Sequence, residues 1–251
     1  MRAGGYVLGV RVNSPETERI VCEVFADRVV ADASPPPNLS LWLEPGGGDG
    51  PTELHRLYLT FDRYTRTRSV ERALADLWHL LDMHDQRDAR SALLVEAAAV
   101  IQGDRAHLLP ARWRQGIVDQ ERPWARDGLL LADRTWLTLD PAAGTVTVPP
   151  LPPSVTEAIE GHDHTGFAHR PEAHACPEGT FSIGSWSTRS AASSGARRAM
   201  HAANGLLDRD RVSAETVASV LRLLEDLPDH APDRGFFAPD DLRAALLERE
   251  P

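Results

Sequence analysis

Leu93-Leu94-Val95-Glu96-Ala97-Ala98-Ala99-Val100-Ile101 leads through the turn Gln102-Gly103-Asp104 into a short apolar run ending Leu108-Leu109-Pro110. The fold turns on this stretch. An apolar run broken only by Glu96 predicts a strand. The glycine turn then sends the chain back as a second short strand. Further on, Leu129–Ala132 and Trp136–Leu139 read as strands. Asp140-Pro141-Ala142-Ala143-Gly144 reads as a tight turn, and Thr145–Val148 as the strand that leaves it.

Upstream, strands and helices alternate. Tyr6–Val12 reads as a strand. Ser14 is placed to cap a helix with Pro15 at its first position and Ile20, Val21, Val24 and Phe25 facing inward. Leu39, Leu41 and Leu43 alternate with Ser40 and Trp42, and Leu57, Leu59 and Phe61 alternate with Tyr58 and Thr60. Each pattern predicts a strand with one leucine-rich face buried. Ser69 caps a helix whose stripe is Val70, Ala73, Leu74, Leu77, Leu80 and Leu81.

Downstream, Pro149, Pro150, Pro152 and Pro153 stiffen a connection, and 161–194 reads as a long loop rich in His, Gly and Ser. Two helices follow, one capped by Ser213 with stripe Val217, Val220, Leu221 and Leu224, the other over Leu242–Leu247. These elements predict an α/β fold built on a mixed sheet. An amino-terminal α/β lobe (1–88) would lead into a core (89–153), with a His-rich loop and closing helices (154–251) packed on it.

All 27 basic residues are arginine, since the 251 residues include no lysine, and 37 acidic residues give a formal charge of −10. Without lysine there is no phosphate-gripping P-loop lysine and no Schiff base. So acidic a chain repels phosphate backbones, which argues against nucleic acid as the partner. No apolar run approaches the ~18 residues that cross a bilayer. Met1–Val12 lacks the apolar stretch of a signal peptide, so the expectation is a cytoplasmic protein without membrane attachment. Cys22 and Cys176 lie far apart and form no CxxC pair, which argues against a structural disulfide.

The order of strand, glycine turn, second strand ending Leu108-Leu109-Pro110, gap, Gly128, strand, Asp-rich corner and Asp140-Pro141 turn resembles the HPr kinase/phosphorylase-like P-loop family. That family includes the HPr-kinase-related proteins of actinobacteria. The span Ala111–Gly128 matches the family's distance from the first P-loop glycine to the later glycine, and the resemblance covers roughly residues 6–153. It implies a mixed-sheet HPr-kinase-like core. It also implies a nucleotide loop at Ala111-Arg112-Trp113-Arg114-Gln115-Gly116-Ile117-Val118-Asp119, and there the pattern fails. A working loop needs glycines whose N–H groups wrap phosphate, a lysine for the β and γ oxygens, and a hydroxyl for magnesium. Gly116 remains, but Ile117 stands where the lysine belongs and Val118 where the hydroxyl belongs. Pro123 falls where the helix facing the nucleotide would run. Glu96 replaces the family's histidine, and Asp133 is followed by Arg134 instead of a second aspartate. Loss of the lysine, hydroxyl and second carboxylate together removes the phosphoryl-transfer machinery.

Three sets of residues carry the remaining chemistry. Arg112, Trp113, Arg114, Trp124 and Arg126, with Arg122, crowd the former phosphate loop; arginine forks and indole rings suit a partner-binding surface, and the plainer reading is a solvated loop over two packed tryptophans. Glu96 and Asp133 lie on or beside strands that faced the ancestral site and form a candidate acid–base pair, or partners for nearby arginines such as Arg134. His162 and His164, with His169, His174 and Cys176, offer zinc ligands in a spacing that matches no established zinc motif, against the plainer reading of a solvated His-rich loop. Ser185 and Ser193-Ser194-Gly195 do not sit in a hydrolase elbow. The expectation is a pseudokinase-type protein without a nucleotide cofactor that binds a peptide or partner protein. The resemblance implies a setting in the modification of ribosomally made peptides. A repurposed enzyme using the old cleft, with zinc from the His-rich loop, and a structural subunit of an active paralogue are the alternatives.

Overall fold

The computed structural model describes residues 1–31, 33, 35–46, 54–60, 62–89, 93–118, 121–132, 134, 136–168, 176–187, 206, 213–228 and 239–248. The protein is an α/β chain with several sheets. It divides into two compact units, Met1–Arg90 with Leu151–Ala173, and Ser91–Pro150 with His174–Pro251. The residues beyond 153 are therefore shared between the two, where the sequence suggested one closing segment.

The first unit opens with the pair β1 (Arg2–Ala3) and β2 (Tyr6–Val7), then builds a four-stranded sheet. Its strands are β3 (Gly9–Val12), β4 (Pro37–Trp42), β5 (His55–Leu59) and β6 (Asp62–Thr67), in that spatial order. β3 and β4 run parallel across the helix α1 (Pro15–Val24), and the other pairs are antiparallel. Ser14 caps α1 as its position predicts, accepting the Thr17 N–H at 3.1 Å, with Pro15 in the first turn where its missing N–H costs nothing. At the parallel junction a Cβ on Gly9 would come within 2.5 Å of the Pro36 carbonyl oxygen, so no larger residue fits there.

The helix α2 (Val70–Ala89) starts at Ser69, whose Oγ accepts the Arg72 N–H at 3.0 Å. It covers one sheet face, to which alternation assigns Leu39, Leu41, Leu57 and Thr65. Thr65 Oγ1 donates to Asp76 Oδ2 at 2.5 Å, which ties β6 to α2, and Arg72 Nε bonds Asp76 Oδ1 at 3.2 Å. Arg72 and Asp76 are both buried. Pro149, Pro150 and Pro152 lie in a connection, as expected, while Pro153 takes the first turn of a helix, α5 (Pro153–Glu160).

The second unit contains β7 (Leu93–Gln102), β8 (Arg105–Pro110), β9 (Leu129–Ala132), β10 (Trp136–Asp140), β11 (Thr145–Val148) and β12 (Gly179–Trp186). Gly103 turns β7 into β8 with φ +57°, and Gly144 turns β10 into β11 with φ +65°. β7 pairs antiparallel with β8, β9 and β10; β8 pairs parallel with β12; β11 pairs antiparallel with β10 and β12. The pairings β7–β8–β12–β11–β10–β7 thus form a closed circuit. Its described residues also form the helices α3 (Arg114–Val118), α4 (Glu121–Arg126), α6 (Ala214–Asp226) and α7 (Pro239–Leu247).

β7 is buried on both faces. Val95, Ala97, Ala99 and Ile101 join a core with Leu137, Leu139, Val146, Val148, Ile183 and the α6 residues Val220 and Leu224. Ala98 and Val100 join a second core with Leu109, Trp113, Ile117, Trp124, Leu129, Leu131 and the α7 residues Leu242 and Leu246.

The predicted long loop over 161–194 is corrected by β12, which occupies Gly179–Trp186 between β8 and β11. Its polarity hid it. A Cβ on Gly184 would meet the His107 ring at 2.9 Å, and the Ser185 hydroxyl lies 2.9 Å from His107 Nδ1. Small residues stand there because a buried imidazole on the neighbouring strand needs the room and a hydrogen bond. Among the described residues no helix is long and apolar enough to cross a membrane.

The Arg72–Asp76–Thr65 network makes a direct prediction. Removing the carboxylate with Asp76→Ala leaves a guanidinium buried without it, and breaking a buried pair in this way costs about 3–5 kcal/mol. Chemical denaturation is expected to show a loss of that size, against about 1 kcal/mol for Thr65→Val.

Candidate functional site

β8 ends at Pro110, and the chain does not open into a loop. It enters a short 3-10 turn at Ala111–Trp113 and then α3 and α4. Pro123 is the third residue of α4, inside the first turn, where a helix tolerates it. Ile117 is fully enclosed at 0% exposure, and Trp113 and Trp124 are buried beside it against β7, β8, β9 and α7. Where a phosphate loop would leave space for a triphosphate, apolar side chains fill the volume.

The expectation of a tryptophan–arginine binding surface on this segment is corrected by the same packing. Trp113 and Trp124 are core residues, and Arg114 is buried at 7% exposure. Arg126 is exposed, and the side chain of Arg112 lies outside the described part of the structure. An indole with its faces packed on leucine and isoleucine has no area left to offer a partner.

Of the candidate acid–base pair, Glu96 is exposed on β7, in register with Trp136, and Asp133 lies outside the described residues. Arg134, buried at 3% exposure, reaches Glu178 Oε1 at 3.7 Å. Sequence reasoning missed an enclosed His–Ser contact, His107 with Ser185, because the two positions are far apart in the chain. Ser185 is completely buried and His107 nearly so. Such a pair satisfies polar groups inside the core and offers no substrate a path to the hydroxyl.

The histidine cluster is partly described. His162 and His164 follow α5 in the first unit, their ring centroids 5.9 Å apart. His162 Nδ1 lies 3.2 Å from Glu23 Oε2, and His164 Nε2 lies 3.0 Å from the Ile159 carbonyl oxygen and 3.8 Å from Glu71 Oε1. His162 Nε2 is enclosed and has no hydrogen-bond partner among the described residues. A carboxylate on one ring nitrogen is how metal-bound histidines are commonly oriented. Two imidazoles do not make a zinc site, however, and among the described residues no three His, Cys, Asp or Glu side chains converge. Cys176 belongs to the other unit, with its Sγ 3.7 Å from the Pro177 carbonyl oxygen, and His169 and His174 lie outside the described residues. Cys22 is a free, exposed thiol.

Comparison of the chain with protein families, with curated proteins and with solved structures returned no match.

Burial holds the His162 imidazole below its ordinary pKa; Glu23 opposes that shift, while Arg19 and His164 add to it. The folded state therefore binds this proton less readily than the unfolded chain does. The contribution of neutral His162 is complete above pH ~6.5 and is lost as pH falls below that value. Thermal melts at pH 7 and pH 5 are expected to show a larger fall for the native protein than for His162→Gln; equal falls would place the acid sensitivity elsewhere.

Proposed function

We propose that the protein is a non-catalytic binding protein, a pseudokinase-like relative of the HPr-kinase-related proteins that acts by holding a peptide or partner protein. The observation that carries this reading is the enclosed side chain of Ile117, at the position where the resemblance calls for a lysine. A phosphate-binding loop works because backbone N–H groups stay unoccupied and converge on an anion. Here that segment is helical and its Trp113 and Ile117 side chains are packed, so its volume is committed to the fold. The absence of any lysine supports the same conclusion. A peptide from a ribosomally made precursor is the partner class that the resemblance suggests.

The repurposed-enzyme alternative gains no support from the described geometry. Ser185 is enclosed with His107, and the described histidines pair with carboxylates and a backbone carbonyl.

Isothermal titration with magnesium-ATP tests the reading. No heat of binding is expected at millimolar nucleotide, and micromolar, magnesium-dependent binding would contradict it. A companion measurement separates core from surface. Trp113→Ala is expected to destabilise the fold by about 3–5 kcal/mol, as truncation of a buried aromatic does. A folded variant of native stability that has lost partner binding alone would put Trp113 back on a surface.

A further inference from the structure

The geometry points to the open face of the first unit's sheet as the docking surface, with an extended acidic peptide bearing aromatic side chains as its occupant. This rests on the partner-binding reading above and adds to it a place and a chemistry. The other face of the sheet is taken by α2. On the open face, strand register sets Trp42, Arg56 and Arg66 in one row across β4, β5 and β6. A second row, two residues along, runs Arg11, Ser40, Tyr58 across β3, β4 and β5.

Three features of these rows ask for a ligand. Trp42 is 47% exposed, on a strand whose neighbouring leucines are almost fully buried. Arg56 and Arg66 stand directly opposite each other, an arrangement of like charges that destabilises a sheet. Arg56 is relieved in part by Glu44, 3.4 Å away, whereas the exposed Arg66 and Arg11 make no ion pair among the described residues. In a chain whose formal charge is −10, this face gathers cations beside aromatic rings. A carboxylate arriving from outside would sit between the Arg56 and Arg66 guanidinium groups and remove their repulsion.

Spacing favours an extended chain. Rows two residues apart lie about 6.6 Å from each other along the strands, which is also the separation of alternate side chains on one side of an extended peptide. An acidic side chain over Arg56 and Arg66 thus places its second neighbour over the Tyr58 row. Single-stranded nucleic acid also stacks on aromatic rings beside arginine. It brings a negative charge with every unit, however, and the field of so acidic a protein opposes it at long range. A peptide brings only the few carboxylates that the arginines can take.

Fluorescence anisotropy tests this with a fluorescein-labelled octapeptide carrying glutamate and phenylalanine in alternation at its odd positions and serine between them. The same peptide with arginine for glutamate and an eight-nucleotide oligouridylate serve as competitors. The glutamate peptide is expected to bind, more weakly as salt is raised. Affinity is expected to fall roughly tenfold or more with the pair Arg56→Glu, Arg66→Glu, and again with Trp42→Ala. Arg66→Gln, at an exposed position, is expected to weaken binding while the melting temperature holds or rises slightly, since its repulsion with Arg56 goes with the charge. No binding of the glutamate peptide, equal binding of the arginine peptide, unchanged affinity in the variants, or tighter binding of the oligouridylate would each overturn the proposal. None of these results depends on the nucleotide titration, so this surface and the non-kinase reading stand or fall separately.

Discussion

Burial of β7 on both faces is the constraint from which the second unit follows. Alternate residues of one strand feed two cores, so each face needs its own apolar cover. On one side the cover comes from the neighbouring strands and α6. On the other it comes from β9, α7 and the segment that follows β8, through Trp113, Ile117 and Trp124. That segment cannot both close a core and stand open around a phosphate. In the register suggested by the family resemblance, Ile117, which stands where a lysine is expected, is one of the residues that complete this packing.

An all-arginine basic complement shapes the interior as well as the surface. Arg72, Arg114 and Arg134 are buried, and Arg72 donates its Nε to an aspartate shared with Thr65. The planar, weakly hydrated guanidinium tolerates burial where an ammonium would lose its proton. Arg28 shows a half-buried counterpart: it ion-pairs with Asp85 at 2.7 Å and lies over the Trp78 ring at 5.8 Å. Arg11 and Arg66, which make no ion pair among the described residues, lie on one sheet face.

Elements with a period and a cap were legible in the sequence. Ser14, Ser69 and Ser213 all cap the helices that follow them, and the Leu93–Ile101 run forms the strand it predicts. Elements whose side chains answer to distant neighbours were not legible. β12 carries Gly184 and Ser185 because His107 lies across from them, a reason invisible without the parallel pairing. The same limit governs the candidate site. Trp113 and Trp124 beside arginines read in the linear sequence either as surface anchors or as packed tryptophans, and the cover required by Ala98 and Val100 draws both indoles inward. Trp42 was legible as the outward residue of an alternating strand, yet its significance depends on Arg56 and Arg66, which only strand register brings beside it.

Amide hydrogen exchange over the α3 and α4 segment, measured with and without magnesium-ATP, tests the central claim most directly. If this segment is a wall of the core, its amides, those of Ile117 and Trp124 above all, exchange slowly, in step with β7 and β8, and nucleotide changes nothing. Fast exchange in the free protein that slows on adding magnesium-ATP would mean an open, nucleotide-ordered loop and would contradict the account.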